Sequence, residues 1–98
     1  MTHQKMVGPV VRGMDAHLAE AVITAIEMDN PDLDVEVDDQ GGYIRVETAG
    51  RCRLTRASLE EALGRRFALH QLEPSLAGFA GRMHVTDDEV LWYLERQD

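Results

Sequence analysis

Four histidines, a run of acids, one cysteine and two serines are the residues of this 98-residue chain whose types could do chemistry. His3, His17, His70 and His84 never fall at the spacing that sets two metal ligands on one helical face, so no zinc or diiron site is expected. Asp29, Asp32, Asp34, Glu36, Asp38 and Asp39 are dense enough to suggest a cation. A calcium loop, however, needs ligands at short regular intervals around a central glycine and a closing glutamate, and that pattern is absent. Alternation instead divides these acids between a solvated strand face and two loops. Ser58 and Ser75 lack a GxSxG context, and Cys52 has no partner for a disulfide or a cysteine-held iron-sulfur cluster. No catalytic group, metal or cofactor is expected in the chain.

Charge narrows the partners. Eighteen acids against ten Lys and Arg leave a formal charge of -8. Phosphate backbones and anionic membranes are repelled overall, so neither nucleic acid nor a membrane is expected. The acidic surface either steers the protein toward a basic groove on another protein or serves solubility. Trp92 and Tyr93 could stack on bases, but without a basic stripe they read as core or rim. The lone cysteine fits a reducing cytoplasm. The first residues lack a signal-length apolar run, and nothing approaches the roughly 20 apolar residues of a span.

The elements follow from spacing. Residues 1–6 are polar and aperiodic and read as a tail, leaving 7–98 as one domain with halves at about 7–50 and 51–98. VGPVVR, residues 7–12, is β-branched, and Pro9 restricts it to an edge strand or a bulge. Leu18, Val22, Ala25 and Ile26 then share a helical face, widened by Ala19 and Ile23, with Asp15 as cap and an end near Met28 or Asp29 imposed by Pro31. Val35 and Val37 alternate with acids, Ile44 and Val46 with Tyr43, Arg45 and Glu47, and the turn at residues 39–42 joins them into a hairpin. Residues 51–54 predict a strand with Cys52 and Leu54 inward. Thr55 should cap a helix over 56–63, stapled by Leu54 and Leu59 and stopped by Gly64. A helical turn or two is expected over 71–77, with Pro74 comfortable only near its start. Residues 82–86 and 90–94 form either a hairpin with Val90, Trp92 and Leu94 on one side, or end in a helix. The class is α+β, two strand-helix-strand-strand halves packed into one small domain.

Within LEPSLAGFAGR, residues 72–82, Gly78 and Gly81 flank Phe79 and Ala80. By residue type this is either a tight turn with Phe79 in the core or a backbone surface that another protein approaches closely. A small-molecule-sensing or oligomerising α+β domain is the rival functional class.

Four ordered segments, VGPVVR (7–12), EMDNPD (27–32), LTRASLEEALGR (54–65) and LEPSLAGFAGR (72–82), resemble the effector, or coupling, proteins of multicomponent soluble diiron monooxygenases. The likeness runs from residue 7 to about residue 94 and is closest to the toluene and alkene monooxygenase branch. It implies a cofactor-free, non-catalytic protein that binds the diiron hydroxylase beside its metal centre. Such a protein tunes oxygen activation, coupling and regioselectivity of aromatic or alkene oxidation, and a ferredoxin or reductase is a possible competitor. The resemblance favours a strand at 90–94. By position, the hydroxylase-facing residues would be Ser75, Leu76, Ala77, Gly78, Phe79 and Ala80, then Gly81 and Arg82, with Asn30 and Pro31 at the helix exit. Pro74 departs from the helix former expected there, and Gly78 from a small hydroxyl residue.

Overall fold

In the computed structural model, which describes residues 5–94, the first half of the chain runs β1 (Met6–Arg12), α1 (Ala16–Asp29), β2 (Glu36–Asp39) and β3 (Tyr43–Ala49). The second runs β4 (Arg51–Thr55), α2 (Arg56–Leu63), a 3-10 helix Leu69–Ser75, β5 (Leu76–Ala80), β6 (Arg82–Val85) and β7 (Glu89–Tyr93). The strands form two antiparallel sheets, ordered β2-β3-β1-β5 and β4-β7-β6. The α+β class and the β2–β3 hairpin are those the spacing predicted, and of the two alternatives left open for residues 82–94 the chain forms the hairpin. β5 is the addition: it belongs to the second half by sequence and to the first sheet by pairing.

Local signals set the helix ends. The Leu18 backbone N–H donates to Asp15 Oδ1 at 3.0 Å, and Leu18, Val22, Ala25 and Ile26 are buried on the face that the 3.6-residue period selects. The Ser58 N–H donates to Thr55 Oγ1 at 3.2 Å, α2 ends against Gly64, and Leu54 and Leu59 are both buried, as a staple requires. One core gathers Val7, Val11 and Val46 from the first sheet with Cys52, Leu54 and Trp92 from the second, under both helices. Trp92 fills the centre, but its indole N–H finds no acceptor among the described residues. Burial of the large ring outweighs that orphan donor.

Three expectations are corrected. β1 is a central strand, paired with both β3 and β5, so of the two alternatives for Pro9 the edge fails, while a bulge does interrupt the β1–β5 ladder between Val10 and Val11. Its ladder to β3 runs through Met6, Val7, Val10, Val11 and Arg12 and skips Gly8 and Pro9; that gap tolerates a residue without an N–H. The expected tail reaches into β1, since Met6 pairs with Ala49 and the Lys5 carbonyl accepts from Gly50 N at 2.9 Å; residues 1–4 lie outside the described residues. Pro74 sits near the end, not the start, of the 3-10 helix, which closes with Leu76 N–H on the Glu73 carbonyl. The chain then turns directly into β5, so the helical turn expected over 71–77 stops short of Ala77.

The outer edge of β4 has no neighbouring strand, and side chains take a strand's place there. Asn30 is 1% exposed and donates from Nδ2 to the carbonyls of Ile26 and Arg53, both at 2.8 Å, while its Oδ1 accepts the Arg53 N–H at 3.0 Å. Asp29 accepts from Thr55 N at 2.6 Å, from the Thr55 hydroxyl and from the Ser58 hydroxyl at 2.6 Å. Its charge thereby faces the positive end of α2. The Thr48 hydroxyl donates to the Arg51 carbonyl, completing the edge. α1 is thus fastened to β4 and α2 by polar groups that a strand edge would otherwise leave unpaired.

Two single residues carry the chain between the sheets. Gly50 separates β3 from β4 with φ +80, and Gly81 separates β5 from β6 with φ +92. Both angles lie where side chains are disfavoured.

Asn30→Ala should lower stability by about 1–3 kcal/mol, since it leaves the Arg53 N–H and carbonyl without their partner. A urea midpoint close to that of the parent protein would show that the clasp is dispensable. Burial pushes the Cys52 thiol up from 9.0 to about 11. A raised folded-state value stabilises fully below the unfolded value and is lost as pH rises through it. Stability should therefore fall by on the order of 2–3 kcal/mol between about pH 9 and pH 11. Cys52→Ala should lack that share of the alkaline loss in parallel urea titrations.

Candidate docking face

β5 is built from small residues around one aromatic, LAGFA, and hydrogen-bonds along β1. Ala80, Phe79 and Gly78 oppose Gly8, Pro9 and Val10, after which the register shifts and Leu76 opposes Val11. Ala77 is the extra residue of a β-bulge, a feature that bends a strand and re-aims its side chains. The expected contact stretch therefore spans three structural units: Ser75 closes the 3-10 helix, residues 76–80 are strand, and Gly81 and Arg82 lead into the other sheet. Leu76 packs against the core, whereas Phe79 is 44% exposed. The turn with Phe79 in the core is not what the chain forms.

One rung crosses all four strands: Asp38 opposes Arg45, Arg45 opposes Val10, and Val10 opposes Gly78. Together with Gln40, Tyr43, Ala77 and Phe79 this rung lines an open groove of about 450 Å³. The groove lies on the side of the sheet away from α1, because Ile44 and Val46 on β3 turn to the core while Tyr43 and Arg45 turn to solvent. Tyr43, 54% exposed, walls the groove on β3, while Phe79 borders it on the edge strand, where it opposes Pro9 and alternates with Gly78. Strand alternation had placed Tyr43 and Arg45 on a solvent face. What it lacked was the pairing of β1 with β5, which brings residues more than 30 positions apart into one groove.

The remaining expected residues divide. Pro31 is exposed at the helix exit, but Asn30 is buried with every hydrogen bond internal, which removes it from the contact surface. The two glycines differ as sharply. A Cβ on Gly81 would stand 2.7 Å from Val7 Cγ1 and 2.8 Å from the Tyr93 carbonyl, while one on Gly78 would meet nothing within 4 Å. Gly81 is a joint and Gly78 is open surface.

Among the described residues no group of three or more His, Cys, Asp or Glu could hold a metal ion, and no helix is long and apolar enough to cross a membrane. His17 Nε2 lies 3.5 Å from the Leu63 carbonyl, His70 and His84 are solvated, and His3 lies outside the described residues. What this face offers is contact: an exposed tyrosine, open backbone, and the Asp38 and Arg45 side chains.

Residues 5–93 match the MmoB/DmpM family. The chain belongs to that family. The effector subunit of the alkene monooxygenase system of Xanthobacter autotrophicus (strain ATCC BAA-1158 / Py2) is 49% identical over 92% of this chain and 87% of its own length. The fold also matches that of chains in two structures of a phenol hydroxylase–regulatory protein complex. One has a TM-score of 0.78 at 25% identity over 93% of this chain and 100% of that one. The other has 0.70 at 27% over 91% and 99%. Regulatory protein B of soluble methane monooxygenase shares the fold, with a TM-score of 0.68 at 18% identity over 97% of this chain and 70% of that one. These relatives carry the names of effector or regulatory components, not catalytic ones.

In this MmoB/DmpM protein, Gly81→Ala should cost about 1–3 kcal/mol through clash and a disfavoured φ, whereas Gly78→Ala should stay within about 0.5 kcal/mol of the parent. Paired thermal melts check the contrast, and equal melting temperatures would remove the joint from the argument.

Proposed function

We propose that this MmoB/DmpM protein docks on the hydroxylase of a multicomponent monooxygenase through the groove face, with Phe79 as the anchor. The observation that carries the proposal is the half-exposed Phe79 on an otherwise small-residue edge strand that borders an open groove. Family membership and 49% identity to an effector subunit make the chain a regulatory, non-catalytic component whose partner is the hydroxylase. Ser75, Leu76, Ala77, Gly78 and Ala80 flank the anchor, and Arg82 and Pro31 stand at the margin. The hydrocarbon, an alkene or an arene, and the diiron centre both belong to the partner. A lone, buried Cys52 fits the cytoplasm.

Such a protein alters activity only through unequal affinity for two hydroxylase conformations. A fivefold to hundredfold preference corresponds to about 1–3 kcal/mol. That difference would shift oxygen activation, coupling and regioselectivity without any reactive group on this chain. A standard interface takes roughly 800 Å² from each partner, so a ferredoxin or reductase approaching the same hydroxylase surface would compete.

Titration into the hydroxylase with its electron-transfer components should raise product formed per NADH consumed and saturate near one effector per active site. Phe79→Ala should shift the midpoint by tenfold or more, about 1.4 kcal/mol, while its melting temperature stays near that of the parent. Unchanged coupling together with no binding would reject the assignment; a variant that unfolds but binds normally when folded would return Phe79 to the core.

A further inference from the structure

The two sheets have outer edges at β2, β5, β4 and β6, and only the edge at β5 is unguarded. β4 is closed by the Asn30 and Asp29 side chains, β2 is exposed throughout and carries Glu36, Asp38 and Asp39, and β6 carries Arg82 and His84. β5 has no charged residue. Its pairing with β1 shows which backbone groups the edge presents. Pro9 has no N–H, so the Pro9–Phe79 rung cannot be one in which two residues exchange hydrogen bonds. The exchanging rungs are those on either side, Gly8 with Ala80 and Val10 with Gly78. The N–H and C=O of Phe79 therefore both point away from β1, off the free edge, and meet no partner among the described residues. The next outward pairs along the strand would belong to Ala77 and Gly81. Ala77, however, is the bulged residue, and Gly81 is the joint with φ +92. One donor and one acceptor stand side by side where an added strand would need a row of them.

The protein already contains the complement of such a pair. On the outer edge of β4, the Asn30 carboxamide donates to the Arg53 carbonyl at 2.8 Å and accepts the Arg53 N–H at 3.0 Å, reaching across from the end of a helix. A carboxamide carries a donor and an acceptor on one planar group and, being neutral, suits an edge without charge. We propose that the hydroxylase presents an Asn or Gln carboxamide to the Phe79 backbone, engaging its N–H and C=O together as Asn30 engages those of Arg53. The inference rests on the docking proposed above and names the contact beside the anchor. The ring contributes burial, and the backbone of the same residue contributes direction. Gly78 and Ala80 leave the approach open, since neither has a side chain larger than a methyl group. Because both hydrogen bonds must form at once, the carboxamide fixes where along β5 the hydroxylase sits, which burial of the ring alone does not.

The test compares amide hydrogen exchange in the protein alone and in the protein saturated with purified hydroxylase, read residue by residue after quenching. The Phe79 amide should exchange at least about tenfold more slowly in the complex, with the Ala77 and Gly81 amides changed by less than about twofold. Equal protection of all three would mark an added strand or general exclusion of water and overturn the inference. An isotope-labelled Phe79 carbonyl should move to lower infrared frequency on binding; an unmoved carbonyl beside a protected N–H would mean a lone acceptor, which also overturns it. An ester in place of the Gly78–Phe79 amide, made by semisynthesis, keeps the ring but removes the N–H, and should weaken binding roughly fivefold to tenfold. Parental affinity in that variant would overturn the inference, and if its urea midpoint shows that it does not fold, the exchange measurement decides. Protection of Phe79 that grows with the concentration of the protein alone would mark a contact between copies and count against the hydroxylase. Parent protein that fails to bind rejects the docking proposal itself; parent protein that binds with an unprotected Phe79 amide rejects only the carboxamide contact.

Discussion

The side-chain clasp on the outer edge of β4 is the interaction on which the rest of the structure depends. Two small sheets, each too small to bury its own apolar face alone, must be held at one mutual angle for a shared core to form. Asn30 imitates a strand by matching both backbone groups of Arg53, and Asp29 meets the next outward-facing N–H and the start of α2. Three elements, α1, β4 and α2, are thereby fixed through two consecutive residues. The same bonds close an edge that would otherwise recruit a strand from another molecule.

A frame held in this way leaves one large face of the first sheet uncovered, and that exposure fits a regulatory subunit. The second sheet and both helices lie on the core side, so among the described residues nothing covers the groove beyond β1 and β3. No reactive group is needed there. Cys52 is held neutral in the core, the histidines are scattered, and the acids are solvated or engaged. Regulation by such a face is a matter of shape and charge presented rigidly, because a surface that deformed on contact would discriminate poorly between two conformations of its partner.

The legible parts of the sequence were those whose signals are local. Asp15 and Thr55 announce helix starts, Pro31 and Gly64 announce stops, and the alternation through Ile44 and Val46 or Cys52 and Leu54 assigns faces without reference to anything distant. The segment at residues 76–80 was not legible as a strand, because alanine and glycine have little β preference and no alternating pattern. It becomes a strand because β1 offers a free ladder beside it. Pro9 misled for the complementary reason: a missing N–H argues for an edge unless the neighbouring ladder skips a step at that point. Asn30 misled as well, since exposure cannot be read from a polar residue at a helix exit.

By itself, then, the sequence determined the caps of both α-helices, the inward residues of β3 and β4, and a family likeness carried by four ordered segments. Only the tertiary structure decided that β5 joins the first sheet, that Asn30 is a buried clasp, that Gly81 is a joint while Gly78 is open, and that Phe79, Tyr43 and Arg45 share a groove. The reason is the range of the forces concerned. Caps and periodicity act within a few residues and leave their mark in the string, whereas strand pairing and burial join residues far apart and are settled by which partner completes a ladder or fills the core.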